Sequence, residues 1–250
     1  MNRKPPAAIA RQLRQEAGFG CAECGCPIIE YHHIVEWNEK KHFDPEHMVA
    51  LCPNHHSQFG KLPRQRSYHA KKNPINLRNG RIYGFLGGNK QHKSIRIGSN
   101  VIENCRHVVR YGHLSLLSYR LLEGEYKLNV FIPNNDFWPE IKVEENALSA
   151  QIANFWDIEF KTNWLKFRRR QGESYLNIDF RGNHVEVSAR LEILGEEILF
   201  SPKGMKYGGV SMDNGYFERA NAALDLRTAI VVHPPNYAMR TPKRLIYNVF

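Results

Sequence analysis

At 250 residues, the chain is long enough to bury a sizeable core, either as one large domain or as two smaller ones. Its composition, with 42% hydrophobic and 24% charged residues, is that of a globular protein. It contains no run of about 18 apolar residues, which excludes a typical transmembrane helix. The N-terminal residues lack the apolar stretch of a secretory signal, so we expect a cytoplasmic location and no membrane partner.

The net charge of +10 is concentrated in one segment of the chain. Residues 57–120 contain 13 lysines and arginines but a single acid, Glu103, whereas basic and acidic residues are nearly equal in number before and after this segment. A nearly acid-free stretch favours a polyanionic partner over an ordinary solvated surface, and nucleic acid is the partner that we expect. The candidate contacts are Arg64, Arg66, Lys71, Lys72, Arg78 and Arg81.

The first predicted element is a helix from about Pro6 to Ala17. Ile9, Leu13 and Ala17 recur every four residues, which is the spacing of one apolar helix face. Gly18 follows directly, and glycine commonly ends a helix.

The next segment, to about residue 60, is too polar and too rich in turns to form a core unaided, and a bound metal is the usual way to stabilise such a small module. We therefore assign residues 1–60, including the helix, to one module. Residues 61–80 are predicted to form a basic connector. Residues 81–250 are predicted to form a β-rich domain that binds DNA, senses a ligand or mediates oligomerisation.

The β-rich domain shows the two-residue period of strands that bury one face. Apolar and polar residues alternate at 126–132, 156–160, 176–180 and 185–193. This pattern predicts mostly antiparallel sheet, with a sandwich, a barrel and stacked hairpins as the alternatives. The predicted fold class is therefore α+β, with a small N-terminal metal-bound module followed by a larger β region.

Four residues have the spacing of a closed metal site. Cys21 and Cys24 are three positions apart, and Cys52 and His55 repeat this spacing with nitrogen in place of one sulfur. Two chelating pairs of this kind suit tetrahedral zinc, and in a reducing compartment they favour metal binding over disulfides. We therefore predict a structural Zn²⁺ site, which would contribute folding free energy on the order of 10 kcal/mol.

Three histidines remain once the zinc has its four ligands: His32, His33 and His56. His32 and His33 precede Ile34-Val35, which indicates a short strand, and neighbouring residues of a strand point to opposite faces. We therefore expect these two histidines to have different tasks. We predict that His42 is an exposed surface histidine without a role, and that Cys26 is either an ordinary small residue or a spare metal ligand.

The order Cys-x2-Cys, His-His-Ile and His-x4-Cys-x2-His-His resembles the HNH endonuclease family over about residues 6–60. The resemblance implies a ββα-metal module, in which two strands and a helix surround one catalytic divalent ion. It also implies an enzyme that hydrolyses phosphodiester bonds, and phage defence or restriction as the setting.

The same resemblance implies a role for each of four histidines. His33 takes the position of the general base, His32 that of a metal-binding Asp, and His56 that of a second metal ligand. His47 stands where the family has an Asn that orients the motif by hydrogen bonds to its backbone. Mg²⁺ or Mn²⁺ is the expected ion. Ni²⁺ and Zn²⁺ are the alternatives, because two imidazoles form a softer site than Asp and His.

The sequence thus predicts a metal-dependent DNA endonuclease with a histidine general base. One alternative is a zinc-stabilised DNA-binding protein without catalysis, and another is an effector that cleaves RNA. Cleavage of both DNA strands requires two active sites or sequential nicks, which favours a homodimer or a higher oligomer.

Overall fold

The structure is a computed structural model, and it describes residues 3–87, 92–193, 195–226 and 230–232. The chain divides into two compact units. The first unit comprises Met1–Gly84, Ser149–Lys161 and Phe167–Glu173, and the second comprises Phe85–Leu148, Thr162–Lys166 and Ser174–Phe250. The predicted β-rich domain extends to residue 250, and its last 18 residues, 233–250, lie outside the described residues.

The described residues form four α-helices, one 3₁₀ helix and twenty strands, so the fold is mixed α+β and consists mostly of strands, as predicted. The helices are α1 (Ala7–Glu16), α2 (Pro53–Phe59), α3 (Arg64–Lys72) and α4 (Ile75–Asn79), and the 3₁₀ helix is Pro45–His47. The strands are β1 (Glu30–His33), β2 (Met48–Leu51), β3 (Arg81–Phe85), β4 (Ser94–Ile97), β5 (Asn100–Glu103), β6 (His107–Tyr111), β7 (Leu114–Leu122), β8 (Glu125–Pro133), β9 (Pro139–Glu144), β10 (Ala147–Gln151), β11 (Asp157–Lys161), β12 (Trp164–Arg168), β13 (Leu176–Asp179), β14 (Val185–Ile193), β15 (Glu196–Ser201), β16 (Gly204–Tyr207), β17 (Val210–Met212), β18 (Tyr216–Glu218), β19 (Ala222–Asp225) and β20 (Ile230–Val232).

Helix α1 begins after Pro6, as its apolar spacing predicted. Leu13 is buried on the inner face of the helix, and Ala17 is buried directly after its last turn. The chain then turns at Gly18, whose φ of 64° is a left-handed conformation that glycine adopts without steric cost. The predicted first helix is therefore confirmed.

Strands β1 and β2 form an antiparallel pair in the first unit, with Glu30 opposite Leu51 and His33 opposite Met48. All four residues of β2 are buried, whereas β1 remains partly accessible to solvent. Helix α2 starts directly after β2, with Pro53 in its first turn, where the missing N–H of proline costs nothing. The hairpin and this helix together place the histidines of β1 next to those of α2.

The segment predicted as a basic connector contains two helices, α3 and α4. Pro63 and Pro74 directly precede their first turns, and the fixed φ of proline suits the start of a helix. The buried residues of these helices are small or polar: Ser67, Ala70 and Asn76. Because neither helix has an apolar stripe of the usual width, the periodicity of the sequence did not predict them.

The second unit contains two sheets. Strands β6, β7, β8 and β9 form an antiparallel meander, which β19 and β20 extend beyond β6. The other sheet runs from β13 to β17, and β4, β5 and β18 join it. Side chains from both sheets, including Val130 and Val187, line one narrow apolar cavity. The core of this unit therefore lies between two sheets, which matches the sandwich among the predicted alternatives.

Most strand pairs of the second unit are antiparallel, as the alternation of apolar residues predicted. Three described pairs are instead parallel, namely β4 with β14, β5 with β18 and β6 with β19. Their partners are far apart in sequence, with Ile95 opposite Val185 as one example. The alternation within a strand does not encode which distant strand will be its partner.

Candidate metal centre and the adjacent histidine cleft

Four predicted ligands come together in the first unit, and we call them the Cys/His cluster: Cys21, Cys24, Cys52 and His55. Their ligand atoms all lie within 4.8 Å of one another. Two of the cysteines lie in the turn that follows α1, and the other two ligands lie at the start of α2. The prediction that these four residues could hold a metal is confirmed. The group does not include Cys26, whose thiol contacts the carbonyl of Ile28 at 3.8 Å.

Three of the distances within the Cys/His cluster match the edges of a tetrahedral zinc site. The sulfurs of Cys24 and Cys52 are 3.8 Å apart. The Nδ1 atom of His55 lies 3.5 Å from the sulfur of Cys21 and 3.3 Å from that of Cys52. Zn–S bonds of about 2.3 Å and Zn–N bonds of about 2.0–2.1 Å give tetrahedral edges of about 3.8 Å between sulfurs and about 3.5 Å between sulfur and nitrogen. The donor set therefore fits Zn²⁺, with Nδ1 as the nitrogen ligand.

The metal-binding turn after α1 is fixed by a buried residue that the sequence analysis did not identify, Asn76. Its side-chain amide donates to the carbonyls of Gly18 and Gly25, both at 3.1 Å. Gly25 has a φ of 77°, and a Cβ at Gly20 would lie 2.5 Å from the amide nitrogen of Asn76. The three glycines leave room for this amide, but nothing in their spacing indicates which residue occupies it.

A cleft of about 520 Å³ lies in the first unit, and we call it the histidine cleft because His32, His33 and His56 line it. The rings of His32 on β1 and His56 on α2 meet edge to face, with their centroids 5.2 Å apart. The Nδ1 atom of His56 lies 3.3 Å from a carboxylate oxygen of Glu30. Because a carboxylate accepts hydrogen bonds, this contact favours a proton on Nδ1 and leaves the Nε2 lone pair for a cation.

His32 is suited to bind a cation for a different reason. Its burial, together with positive charge on His56 and His33, lowers the pKa of its imidazole to about 4. The ring is therefore uncharged at neutral pH, which is the form that binds metals. Among the described residues, His32 and His56 have no third ligand as close to them as the ligands of the Cys/His cluster are to one another. An ion bound by these two histidines would therefore keep positions open to water and substrate.

His33 reaches the same cleft from the other face of β1. Its Nε2 atom lies 3.2 Å from the backbone carbonyl of His42. A carbonyl only accepts hydrogen bonds, so Nε2 carries the proton and Nδ1 carries the lone pair. The ring contacts Trp37 at a centroid distance of 5.2 Å, and burial lowers the pKa of His33. The arrangement presents an oriented, uncharged proton acceptor.

The prediction that His42 is exposed was wrong, since the residue is only 9% exposed. Its Nε2 donates to the carbonyl of Val35 at 2.9 Å, and its Nδ1 accepts from the N–H of Asp44 at 3.1 Å. The loop between β1 and the 3₁₀ helix has buried backbone groups that need partners, and one imidazole supplies both a donor and an acceptor. Both ring nitrogens are thereby satisfied.

His47, which stands at the Asn position of the family, contacts a side chain of α3. Its Nδ1 lies 2.8 Å from the hydroxyl of Tyr68, and its Nε2 lies 4.0 Å from a carboxylate oxygen of Asp44. Its backbone carbonyl accepts from the N–H of Ile34 at 2.8 Å, which closes the loop after β1. Among the described contacts, it is the side chain of His42 rather than that of His47 that bonds to the loop backbone.

The six candidate nucleic-acid contacts lie on α3, α4 and β3, and several already have partners within the first unit. Arg64 pairs with Glu39, Arg66 with Glu23 and Lys71 with Glu16. Arg81 donates to the hydroxyl of Ser149 at 2.9 Å. Among the described residues, Lys72 and Arg78 have no ion-pair partner, which leaves their charges available to a ligand.

Comparisons with protein-family models, with curated proteins and with solved structures found no match to this chain. None of the helices in the described part of the chain is both long enough and apolar enough to cross a membrane. A function is therefore inferred from the geometry of the Cys/His cluster and the histidine cleft.

Proposed function

We propose that the chain is a metal-dependent endonuclease of the HNH type, in which β1, β2 and α2 form the ββα-metal module. The observation that carries this proposal is the hydrogen bond from Nε2 of His33 to the carbonyl of His42. It leaves Nδ1 as a proton acceptor in a cleft that His32 and His56 also line. Zinc binding requires none of these three histidines, because the Cys/His cluster already supplies four ligands.

In this proposal, His33 is the general base. Its Nδ1 takes a proton from a water molecule as the water oxygen attacks the phosphorus atom of a phosphodiester. The carbonyl of His42 and the ring of Trp37 hold the imidazole in one orientation. A base that is already oriented does not lose freedom at each turnover, which lowers the barrier.

His32 and His56 are the proposed ligands of a catalytic divalent ion, and Glu30 holds the tautomer of His56. When bound, the ion would offset the charge that develops on the phosphate and stabilise the leaving oxygen. Two imidazole nitrogens favour Mn²⁺, Ni²⁺ or Zn²⁺, whereas Mg²⁺ prefers oxygen ligands. Mg²⁺ and Mn²⁺ remain the first ions to test, because the open positions accept phosphate and water oxygens.

DNA is the proposed substrate, with the basic segment as its contact surface. Arg64 and Arg66 are held by ion pairs at the surface, which contribute little to stability, so phosphates can replace their carboxylate partners. Lys72 and Arg78 need no such exchange. Phage defence or restriction is the setting that we propose for this activity, and it rests on the family resemblance.

A plasmid-nicking assay tests the proposal. The full chain is incubated with supercoiled DNA and Mg²⁺, Mn²⁺ or EDTA, and nicked product is measured over time. We expect His33→Ala to cut at least about a hundredfold more slowly, because a general base contributes roughly 10²–10⁴ in rate. The variant should keep its zinc content and its DNA affinity. The control is His113→Ala, an exposed histidine of the second unit, which should cut at the wild-type rate.

The same assay separates the alternatives. Cutting by His33→Ala at the wild-type rate would remove this residue from the mechanism. A wild-type chain that binds DNA but nicks it with none of the ions is instead a zinc-stabilised DNA-binding protein. Preferential cleavage of RNA, offered together with DNA, would identify an RNA-cleaving effector.

A further inference from the structure

A second cleft lies entirely within the second unit and contains no residue of the proposed nuclease site. It has a volume of about 610 Å³ and is formed by the connection between β5 and β6, the end of β7 and the connection between β18 and β19. Its lining contains three arginines but no acidic side chain. We call it the arginine cleft, and its lining includes Arg106, Arg120, Arg219, Asn104, Asn221 and Leu121.

Two of these arginines have no counterion in the part of the chain that the structure describes. Arg106 and Arg120 are both exposed, and neither forms an ion pair with a described residue. Arg219 pairs with Glu218 at 3.5 Å. The other four arginines in the described part of the second unit all pair with carboxylates: Arg96, Arg110, Arg181 and Arg190.

The fold places the two uncompensated charges next to each other. Strands β6 and β7 are antiparallel, with Val109 opposite Leu117. Arg106 directly precedes β6, Arg120 lies in the second half of β7, and both line the arginine cleft. Two like charges that line one cleft repel each other, so an anion bound between the guanidinium groups would relieve this repulsion.

A neighbouring histidine reports the same positive field. Burial lowers the pKa of His107, and the charges of Arg106, Arg110 and Arg120 lower it further. Of these three arginines, only Arg110 has a carboxylate partner among the described residues, namely Asp225. Asp225 raises the pKa of His107 and so offsets part of the effect of Arg110, whereas no described carboxylate offsets that of Arg106 or Arg120.

The backbone holds the arginine cleft open in one shape. Asn104 and Arg219 both adopt left-handed conformations, with φ values of 51° and 55°. Residues in such conformations persist only where their surroundings hold them, and they cluster at binding sites. The N–H of Arg219 donates to the carbonyl of Glu103 at 3.1 Å, and that of Arg106 donates to Ala220 at 3.0 Å. The two loops are thus bonded to each other, and the cleft is formed before a ligand binds.

We propose that the arginine cleft binds a phosphate-bearing ligand of nucleotide size. Arg106 and Arg120 donate to the phosphate oxygens, because the planar guanidinium group matches phosphate in a two-bond geometry. The amides of Asn104 and Asn221 and the exposed side chain of Leu121 are placed to contact the sugar and the base. The volume falls within the roughly 300–1,000 Å³ that small-molecule sites occupy.

Isothermal titration calorimetry of the full chain with inorganic pyrophosphate tests the proposal. We expect measurable binding by the wild type, and a loss of about tenfold in affinity for Arg106→Ala and for Arg120→Ala, which is the usual effect of removing one charged hydrogen-bond donor. The matched control is Arg190→Ala, which removes an exposed, paired arginine of the same unit and should change the affinity by less than about twofold. The melting temperatures of all three variants are measured alongside.

Absence of pyrophosphate binding by the wild type, or an equal loss in the control, would overturn the proposal. The source of the phosphate is then identified with two further probes, ADP and a fluorescein-labelled single-stranded DNA. Loss of affinity for both in the two cleft variants assigns the site to a nucleic-acid strand. Loss for ADP alone assigns it to a free nucleotide. Neither result depends on cleavage activity, so the proposal can fail while the nuclease assignment stands.

Discussion

The orientation of His33 depends on a neighbour that takes no part in the proposed chemistry. His42 bonds through one ring nitrogen to Val35 and through the other to Asp44, and these contacts fix the loop after β1. The carbonyl of His42 itself then accepts the proton on Nε2 of His33. In the proposed mechanism, His42 is therefore a positioning residue, which sets the direction of the His33 lone pair without touching substrate.

We expect His42→Ala to slow DNA nicking by about tenfold or more, because a misdirected base loses the benefit of orientation. The variant should also lose about 1–3 kcal/mol of free energy of unfolding, since the backbone groups at Val35 and Asp44 lose their partner. Nicking rate, zinc content and urea unfolding are measured. The control is His69→Ala, an exposed histidine of the same unit, and His42→Gln should recover part of the rate through its amide donor. Full activity of His42→Ala would show that the loop holds without this side chain.

At the scale of elements, one buried ion-pair network joins α1 to β1 and β11 within the first unit. Arg14 of α1 donates twice to Asp157, at 2.8 Å each, and once to the hydroxyl of Tyr31 at 2.8 Å. Arg168 also contacts the Asp157 carboxylate, at 3.0 Å. Because Tyr31 directly precedes the two histidines of β1, the network supports the strand that carries them.

Asp157→Asn should destabilise the first unit by about 3–5 kcal/mol, because Arg14 would lose its counterion in a site where the Asp157 side chain is only 3% exposed, and Arg168 would keep only Glu159. Glu159→Gln is the matched control, since Glu159 contacts Arg168 but is ten times more exposed, and it should cost about 1 kcal/mol or less. Urea unfolding followed by tryptophan fluorescence measures both. Equal free energies of unfolding for the two variants would show that Asp157 does not hold α1 and β1 in place.

These elements also show which features a sequence can predict. Helix α1, the alternating strand β14 and the paired ligands of the Cys/His cluster were predicted, because each pattern lies within a few neighbouring residues. Asp157 lies 143 positions from Arg14, and Asn76 lies 51 positions from Gly25, so their contacts have no local signal. His42 was mistaken for a surface residue because its partners are backbone atoms, which every sequence contains.

At the scale of the whole molecule, the two units stabilise themselves by different means. The second unit buries apolar residues between two sheets. In the first unit, Cys21 and Cys52 belong to a small hydrophobic core of mostly short side chains, so a metal held by the Cys/His cluster would replace part of what a larger core supplies. Loss of the metal should therefore affect the two units unequally.

We expect Cys21→Ser, or treatment of the wild type with a strong chelator, to unfold the first unit and abolish DNA nicking while the strand signal of the second unit persists in circular dichroism. Structural zinc contributes on the order of 10 kcal/mol in small modules, which is comparable to the whole stability of a typical domain. Cys26→Ser is the matched control, because Cys26 lies in the same turn but outside the Cys/His cluster, and it should keep its zinc and its melting temperature. A Cys21→Ser variant with full zinc content and unchanged melting would mean that the four residues are a buried polar cluster and that the first unit folds without a metal.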